Sequence, residues 1–248
     1  MGQTEAEWLE SLFSREEKMN ICEEIGALEV QKEIYRDWRE KESRIKQQNE
    51  LISQYKDDSR PIVYVEGGSD KKILEVAWEK IKEGITVPFI IHACEGAQSV
   101  QALLKNKGLL AHGRTMIGLW DCDQQGYSEF LGLIRSKKKM KFKKVSLIEV
   151  KQSGKPLIVG LILPTPPDRS SYTNLESENS QLQFLSIEHY FSNEVLMASK
   201  IISTEIDGRF FLKDKAKKKF AEKVVPNLPS KEFTNFHLVF DEIERLIR

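Results

Sequence analysis

Cysteine is scarce in this 248-residue chain, and its placement argues against two classes of protein. The three cysteines, Cys22, Cys94 and Cys122, are widely separated, and the sequence contains no Cys-x-x-Cys pair. This spacing does not fit a disulfide framework or a thiolate zinc site, and it is typical of a reduced intracellular protein. We therefore expect a cytoplasmic protein.

Several other features are missing. No apolar run is long enough to span a bilayer and no signal-peptide pattern is present, so we expect no membrane association. Lys plus Arg and Asp plus Glu both number 38, so the net charge gives no indication of a nucleic-acid partner. The four histidines are far apart and show no metal-ligand spacing, and we expect His189 to support a site or lie on the surface rather than react.

Positive charge is nevertheless concentrated in two runs, around residues 135–144 and 213–223. A solvated surface explains either run by itself. The alternative is contact with nucleic acid. The candidate nucleic-acid-binding residues on that interpretation are Lys137, Lys138, Lys139, Lys217 and Lys219.

Residues 1–58 are predicted to form a helical arm. Ile34, Trp38, Ile45 and Ile52 give it a sparse apolar stripe at helical spacing within charged sequence. Such an arm either packs on its own domain or forms an interface with a second copy or a partner.

From residue 59 to residue 248 the pattern changes to alternating short strands and helices, which predicts an α/β domain with a parallel sheet and crossover helices. Further strands are predicted near residues 142–164, where two apolar segments would form a hairpin across Gly154. A helical extension is predicted at the C-terminus. Trp78, Trp120 and Tyr64 are expected in the core rather than on a base-stacking surface.

Acidic side chains follow two of the predicted strands. Glu66 comes directly after Ile62–Val65 and precedes Asp70, while Asp121 and Asp123 follow the strand that ends near Trp120. Ligands of parallel sheets bind beyond the carboxyl ends of the strands. Converging carboxylates repel each other unless a cation lies between them, and Mg²⁺ prefers carboxylate oxygens.

Each acid also has a simpler explanation. Asp70 is placed to cap the following helix, Asp-x-Asp is common in surface turns, and Glu66 by itself could be a structural acid. The ordered set is more specific than its parts. It reads strand, Glu-Gly-Gly-Ser-Asp, helix, and then, one unit later, strand, Asp-x-Asp-x-x-Gly.

Over residues 61–135 this ordered set resembles the Toprim domain of topoisomerases, primases, recombination proteins and OLD-family nucleases. The resemblance implies a Rossmann-like parallel sheet and a divalent-metal site of Mg²⁺ or Mn²⁺, with two ions. It assigns metal binding to Glu66, Asp70, Asp121 and Asp123, and leaves open whether Glu66 is a ligand, a base or both.

A further segment, Ile187-Glu188-His189-Tyr190-Phe191, looks like the later acidic motif of OLD-type Toprim nucleases and adds Glu188 to the metal set. Those enzymes also use a lysine of a C-terminal helix, before an alanine, to meet the phosphate. Lys217, Lys218 and Lys219 precede Ala221, and we favour Lys218 as the catalytic lysine.

OLD proteins carry an ATPase ahead of this domain, and this chain has no GxxxxGK[ST] motif. The chain is therefore more similar to the stand-alone Toprim nuclease subunits of two-component, PARIS-type anti-phage systems. That resemblance implies a nuclease acting on DNA or tRNA, a separately encoded ABC-type ATPase as partner, and docking or homodimerisation through the helical arm. The alternatives are a non-catalytic, metal-binding docking module and a DNA-binding recombination mediator.

Overall fold

The computed structural model describes residues 27–54, 58–105, 114–136, 141–143, 146–149 and 158–247. The chain divides into two units, residues 1–57 and 58–248. In the first unit, helix α1 spans Ala27–Gln54 and forms part of the predicted helical arm. The part of that arm before Ala27 lies outside the described residues. Val30, Ile34, Tyr35 and Trp38 of α1 are more than half exposed. Exposed apolar side chains at this spacing are typical of an interface helix.

The second unit is built on a six-stranded sheet in the order β2-β1-β3-β7-β6-β5. Strands β2, β1, β3 and β7 are parallel, and β6 and β5 extend the sheet in antiparallel fashion. Helices flank this Rossmann-like arrangement, which confirms the α/β prediction. The strand bounds are β1 Ile62–Val65, β2 Ile90–Ala93, β3 Met116–Trp120, β5 Lys141–Lys143, β6 Ser146–Glu149 and β7 Ile158–Ile162.

The three central strands are buried along their whole length, because helices cover the parallel part of the sheet. Gly118 of β3 lies opposite Gly160 of β7. A Cβ at Gly118 would lie 2.6 Å from Leu104, and one at Gly160 would lie 3.2 Å from Phe130. The two glycines therefore let the covering helices approach the sheet closely. Those helices are α3, Ala97–Lys105, and α4, Gln124–Ser136.

Helix α2, Gly68–Ile81, joins β1 to β2 and carries Trp78 on its buried face. The Trp78 indole packs edge-on against Phe240, at 5.1 Å between ring centroids, and donates a hydrogen bond to the Ile85 carbonyl. Trp78, Trp120 and Tyr64 are each at most 2% exposed, so the prediction that they belong to the core is confirmed.

The C-terminal part is more irregular than the predicted helical extension. Two short two-stranded ribbons occur there: β4, Cys122–Asp123, pairs with β8, Phe184–Leu185, and β9, Ile202–Ile206, pairs with β10, Arg209–Leu212. Helices α5, Asn193–Ala198, α6, Asp214–Lys219, and α7, His237–Ile247, are joined partly by 3₁₀ and π turns. Within the described residues, no helix has the length and apolar character needed to cross a bilayer.

Candidate functional site

Glu66 occupies the turn between β1 and α2. Asp70 is the third residue of α2, and its carboxylate accepts a hydrogen bond from the Gly67 N–H at 2.8 Å. The Ser69 hydroxyl donates to the other Asp70 oxygen at 3.4 Å. Asp70 therefore stabilises the start of the helix, as the simpler interpretation expects, and this bond also fixes its carboxylate beside Glu66.

A second acidic turn follows β3 and is bonded directly to the first. The backbone N–H of Asp121 donates to Glu66 Oε1 at 2.9 Å, which joins the ends of two adjacent strands. Asp123 Oδ1 accepts a hydrogen bond from the Gly126 N–H at 2.8 Å. A Cβ at Gly126 would lie 2.3 Å from the Asp121 carbonyl oxygen and 2.7 Å from Glu66 Oε1, so only glycine permits this approach.

Glu188 is brought to the same place by the 3₁₀ turn Ile187–Tyr190. The Ile187 N–H donates to Asp121 Oδ1 at 3.0 Å and ties this turn to the end of β3. Glu188 is fully buried, and neither of its carboxylate oxygens has a hydrogen-bond partner among the described residues. Its nearest cation is Lys217, whose Nζ lies 3.8 Å from Glu188 Oε2, an ion-pair distance too long for a hydrogen bond.

The lysine that lies beside the carboxylates is Lys217 and not Lys218, the residue favoured from the sequence. Lys217 points toward the carboxylates and its side chain is 24% exposed, whereas the Lys218 side chain is 83% exposed and pairs with Glu222. Lys219 is also exposed. Adjacent residues of a helix point about 100° apart, so only one lysine of this run can face the acids.

The pKa values of the carboxyl groups in this cluster are raised by burial and, after it, by their mutual repulsion. Burial, and then the charge of Asp123, raise the pKa of Glu66 from 4.5 to about 8. Burial and Glu188 raise the pKa of Asp70 to about 7. Burial, together with Asp70 and Glu66, raises the pKa of Asp121 well above its ordinary value. Burial lowers the pKa of Lys217, but the surrounding carboxylates outweigh it and raise that pKa.

This repulsion predicts how the stability of the metal-free protein depends on pH. A carboxyl group whose pKa is raised by folding contributes its full stability below its unfolded pKa and loses it as pH rises through its folded pKa. For Glu66 that window runs from about 4.5 to about 8. We expect the free energy of unfolding in EDTA to fall across this window, and Glu66→Gln to recover about 2 kcal/mol of it at pH 8.

Urea unfolding of both proteins at pH 5 and pH 8 measures this effect. Glu95 follows the neighbouring strand β2 and is exposed, so Glu95→Gln is the matched control. Equal pH dependence in wild type and Glu66→Gln would contradict the prediction.

The structure therefore brings Glu66, Asp70, Asp121 and Glu188 together with Lys217, and the half-buried Asp123 is close enough to raise the pKa of Glu66. Among the described residues, no group of three or more His, Cys, Asp or Glu side chains is already arranged to hold a metal ion. The buried Glu188 carboxylate, which has no hydrogen-bond partner among the described residues, and the raised pKa values nevertheless fit a divalent cation, which would relieve the repulsion. Lys137, Lys138 and Lys139 lie outside the described residues.

Two buried residues support the Glu188 turn. The sequence predicts that His189 supports a site or lies on the surface, and it gives no prediction for Arg169. Arg169 is 4% exposed, and its guanidinium donates to the carbonyls of His189 and Phe191, each at 2.9 Å. His189 is buried rather than on the surface, with Nδ1 accepting from the Ser186 N–H and Nε2 facing the Phe210 carbonyl. Burial lowers the pKa of His189 to about 4, which fits a neutral ring with a structural role.

These contacts hold the Glu188 turn from both sides. Nothing in the local sequence around Arg169 marks it for this task, because its partners are backbone carbonyls some 20 residues later.

No protein-family model matches the chain, and no curated protein or solved structure matches it. Function is therefore inferred from the geometry of the site.

Proposed function

We propose that this chain is a divalent-metal-dependent nuclease of the Toprim type, which hydrolyses phosphodiester bonds. The observation that carries the proposal is the convergence of buried and half-buried carboxylates from three separate segments on one edge of the sheet, with a lysine beside them. The segments are the β1–α2 turn, the end of β3 and the turn Ile187–Tyr190.

The position of the site supports this assignment. The acids follow β1 and β3, which are neighbouring parallel strands, and ligands of such sheets bind at their carboxyl ends. A small pocket at this edge is lined by Glu66, Asp70 and Asp121. Order and spacing of these acids are also what the resemblance to Toprim domains implies.

The chain's own residues have distinct tasks in this proposal. Glu66, Asp70, Asp121 and Glu188 would hold Mg²⁺ or Mn²⁺, with the half-buried Asp123 beside them. The resemblance implies a second ion. A bound ion supplies positive charge that polarises a phosphodiester and makes water a stronger nucleophile. Lys217 adds a fixed positive charge where phosphate charge develops. Burial at this edge strengthens that electrostatic effect.

Metal removal is the direct test. We expect the purified protein to cut plasmid DNA or total tRNA with Mg²⁺ or Mn²⁺ and to lose all cutting in EDTA, because the carboxylates need a cation to bind phosphate. Adding excess metal should restore cutting. Activity that persists in EDTA after extensive dialysis would overturn the metal dependence.

If the purified protein does not cleave nucleic acid by itself, the next question is whether it needs a partner protein. We infer that the nuclease works with a separately encoded ABC-type ATPase in anti-phage defence, and the exposed apolar side chains of α1 support docking of a protein to the arm. Co-expression with that ATPase, with and without residues 1–56, tests the inference. Unchanged assembly after truncation would contradict it.

A further inference from the structure

Phe184 is the aromatic residue placed beside the acids. In the β4–β8 ribbon, Phe184 lies directly opposite Asp123, and Cys122 lies opposite Leu185. Residues opposite each other in an antiparallel pair project to the same face. Cys122 and Leu185 are completely buried, whereas Asp123 and Phe184 are both half-buried on the other face. Phe184 therefore lies next to the candidate active site and remains partly accessible.

Arg209 covers Phe184 from the neighbouring hairpin. Its guanidinium carbon lies 4.7 Å from the Phe184 ring centroid, and its side chain is 25% exposed. Phe211, two residues along β10, meets Phe184 edge-on with ring centroids 5.7 Å apart. Between them Phe210 points into the core, where its N–H donates to the Tyr172 hydroxyl at 2.7 Å. Because side chains alternate between the two faces of β10, Arg209 and Phe211 project to the same face.

The hairpin turn fixes this arrangement. Asp207 and Gly208 form the two-residue connection between β9 and β10, with φ values of 52° and 73°. Positive φ at both central residues is typical of a tight hairpin turn, and Asp-Gly is a favoured sequence for it. Arg209 is the first residue after the turn, so the guanidinium is held at the start of β10. Asp207 Oδ2 lies 3.6 Å from it on the exposed side.

We propose that the cluster of Phe184, Arg209 and Phe211 binds an unpaired nucleobase of the substrate next to the site of cleavage. This inference rests on the proposed function and adds the substrate class, single-stranded nucleic acid. Bases that are not in a duplex stack on aromatic rings and on guanidinium planes, and a guanidinium already packed on a phenylalanine is ordered for such stacking.

Exposed charges of both signs surround the hairpin in sequence. Lys200, Lys213 and Lys215 are exposed, and so are Glu205, Asp207 and Asp214. Lysine contacts to phosphates carry no base preference. A base in a duplex is stacked between its neighbours and hidden from this cluster, so the cluster selects against duplex.

Binding in EDTA tests the proposal separately from cleavage. The probes are a short labelled single-stranded DNA, the RNA of the same sequence, their duplexes, and single strands that carry one abasic residue. The variants are Arg209→Lys, which keeps the charge and removes the planar group, and Phe184→Leu, which keeps apolar volume. Thermal unfolding shows whether each variant is folded, and Arg245→Lys, the same substitution at an exposed site on α7, is the matched control.

We expect both variants to lose about tenfold in affinity for single strands, with little change for duplexes. One abasic position should weaken binding to the wild type and have no further effect in Arg209→Lys. The DNA and RNA arms show which strand the cluster accepts. Wild-type-like binding by folded Arg209→Lys would overturn the inference and leave a metal-dependent nuclease intact. Arg209-dependent binding without metal-dependent cleavage, either by the protein alone or together with the ATPase, would retain the base-binding cluster and refute the nuclease.

Discussion

Replacing Glu66 with glutamine is expected to reduce metal-dependent cleavage about a thousandfold or more. The substitution keeps the size of the side chain and an oxygen that can accept the hydrogen bond from the Asp121 N–H. What it removes is the negative charge at the centre of the acidic cluster. Cleavage should therefore fall without loss of the fold, measured as initial rates on the substrate that the wild type cuts.

The matched control for this experiment is Glu95→Gln. Glu95 follows β2, the parallel neighbour of β1, but it is exposed to solvent. A nonspecific effect of removing a carboxylate from this edge of the sheet would appear in both variants. A Glu66→Gln protein that cleaves at the wild-type rate would refute the assignment of Glu66 to the site.

The same variant separates two roles for Glu66. A ligand that binds only the folded protein raises its free energy of unfolding. If Glu66 is a metal ligand, Glu66→Gln should lose most of the thermal stabilisation that Mg²⁺ or Mn²⁺ gives the wild type. If Glu66 acts only as a base, this stabilisation should remain while cleavage is lost.

The core of the fold was predictable because its signals are local and mutually consistent. Short apolar runs such as Ile62–Val65 and Met116–Trp120 alternate with helical patterns, and this combination has few solutions other than a parallel sheet. The acids at the ends of those runs then meet automatically, since parallel strands place their carboxyl ends at one edge. The hydrogen bond from the Asp121 N–H to Glu66 Oε1 joins the two acidic turns at that edge.

The C-terminal half was harder because its contacts are long-range. The β9–β10 hairpin has a local signal, Asp207-Gly208 between two apolar segments, which a search for hairpin turns would have found. The β4–β8 ribbon has none, because each strand is only two residues long and the partner lies 61 residues away. The role of Arg169 likewise could not be predicted from the sequence, because it depends on which backbone carbonyls the fold places around the guanidinium.

The sequence also could not determine which lysine of the run 217–219 faces the acids. Lys217, Lys218 and Lys219 are chemically identical and adjacent, so composition and motif spacing do not separate them. The start of α6 at Asp214 sets which lysine faces Glu188. A shift of one residue in that start would rotate another lysine into the site, and no feature of the run itself fixes it.

Replacing Lys217 with methionine is therefore expected to reduce cleavage by about a hundredfold to a thousandfold, whereas Lys218→Met should remain close to wild type. Lys217 contributes the positive charge that faces the buried carboxylates, and Lys218 is exposed on the surface of α6. The two substitutions remove the same side chain from adjacent positions. Equal effects on the cleavage rate would contradict the proposed role of Lys217.

A loss of activity in Lys217→Met needs to be separated from a loss of stability. Removing one partner of a buried ion pair costs about 3–5 kcal/mol, because the other charge remains buried without compensation. The double variant Lys217→Met with Glu188→Gln removes both charges and should recover much of the free energy of unfolding. One possibility is that Lys217 only neutralises the charge of Glu188. The cleavage rate of the Lys217→Met protein should then be proportional to its folded fraction, and it should recover fully when Mg²⁺ restores the fold. If Lys217 meets the phosphate, folded Lys217→Met should stay slow, and Lys217→Arg should retain more activity because it keeps the charge.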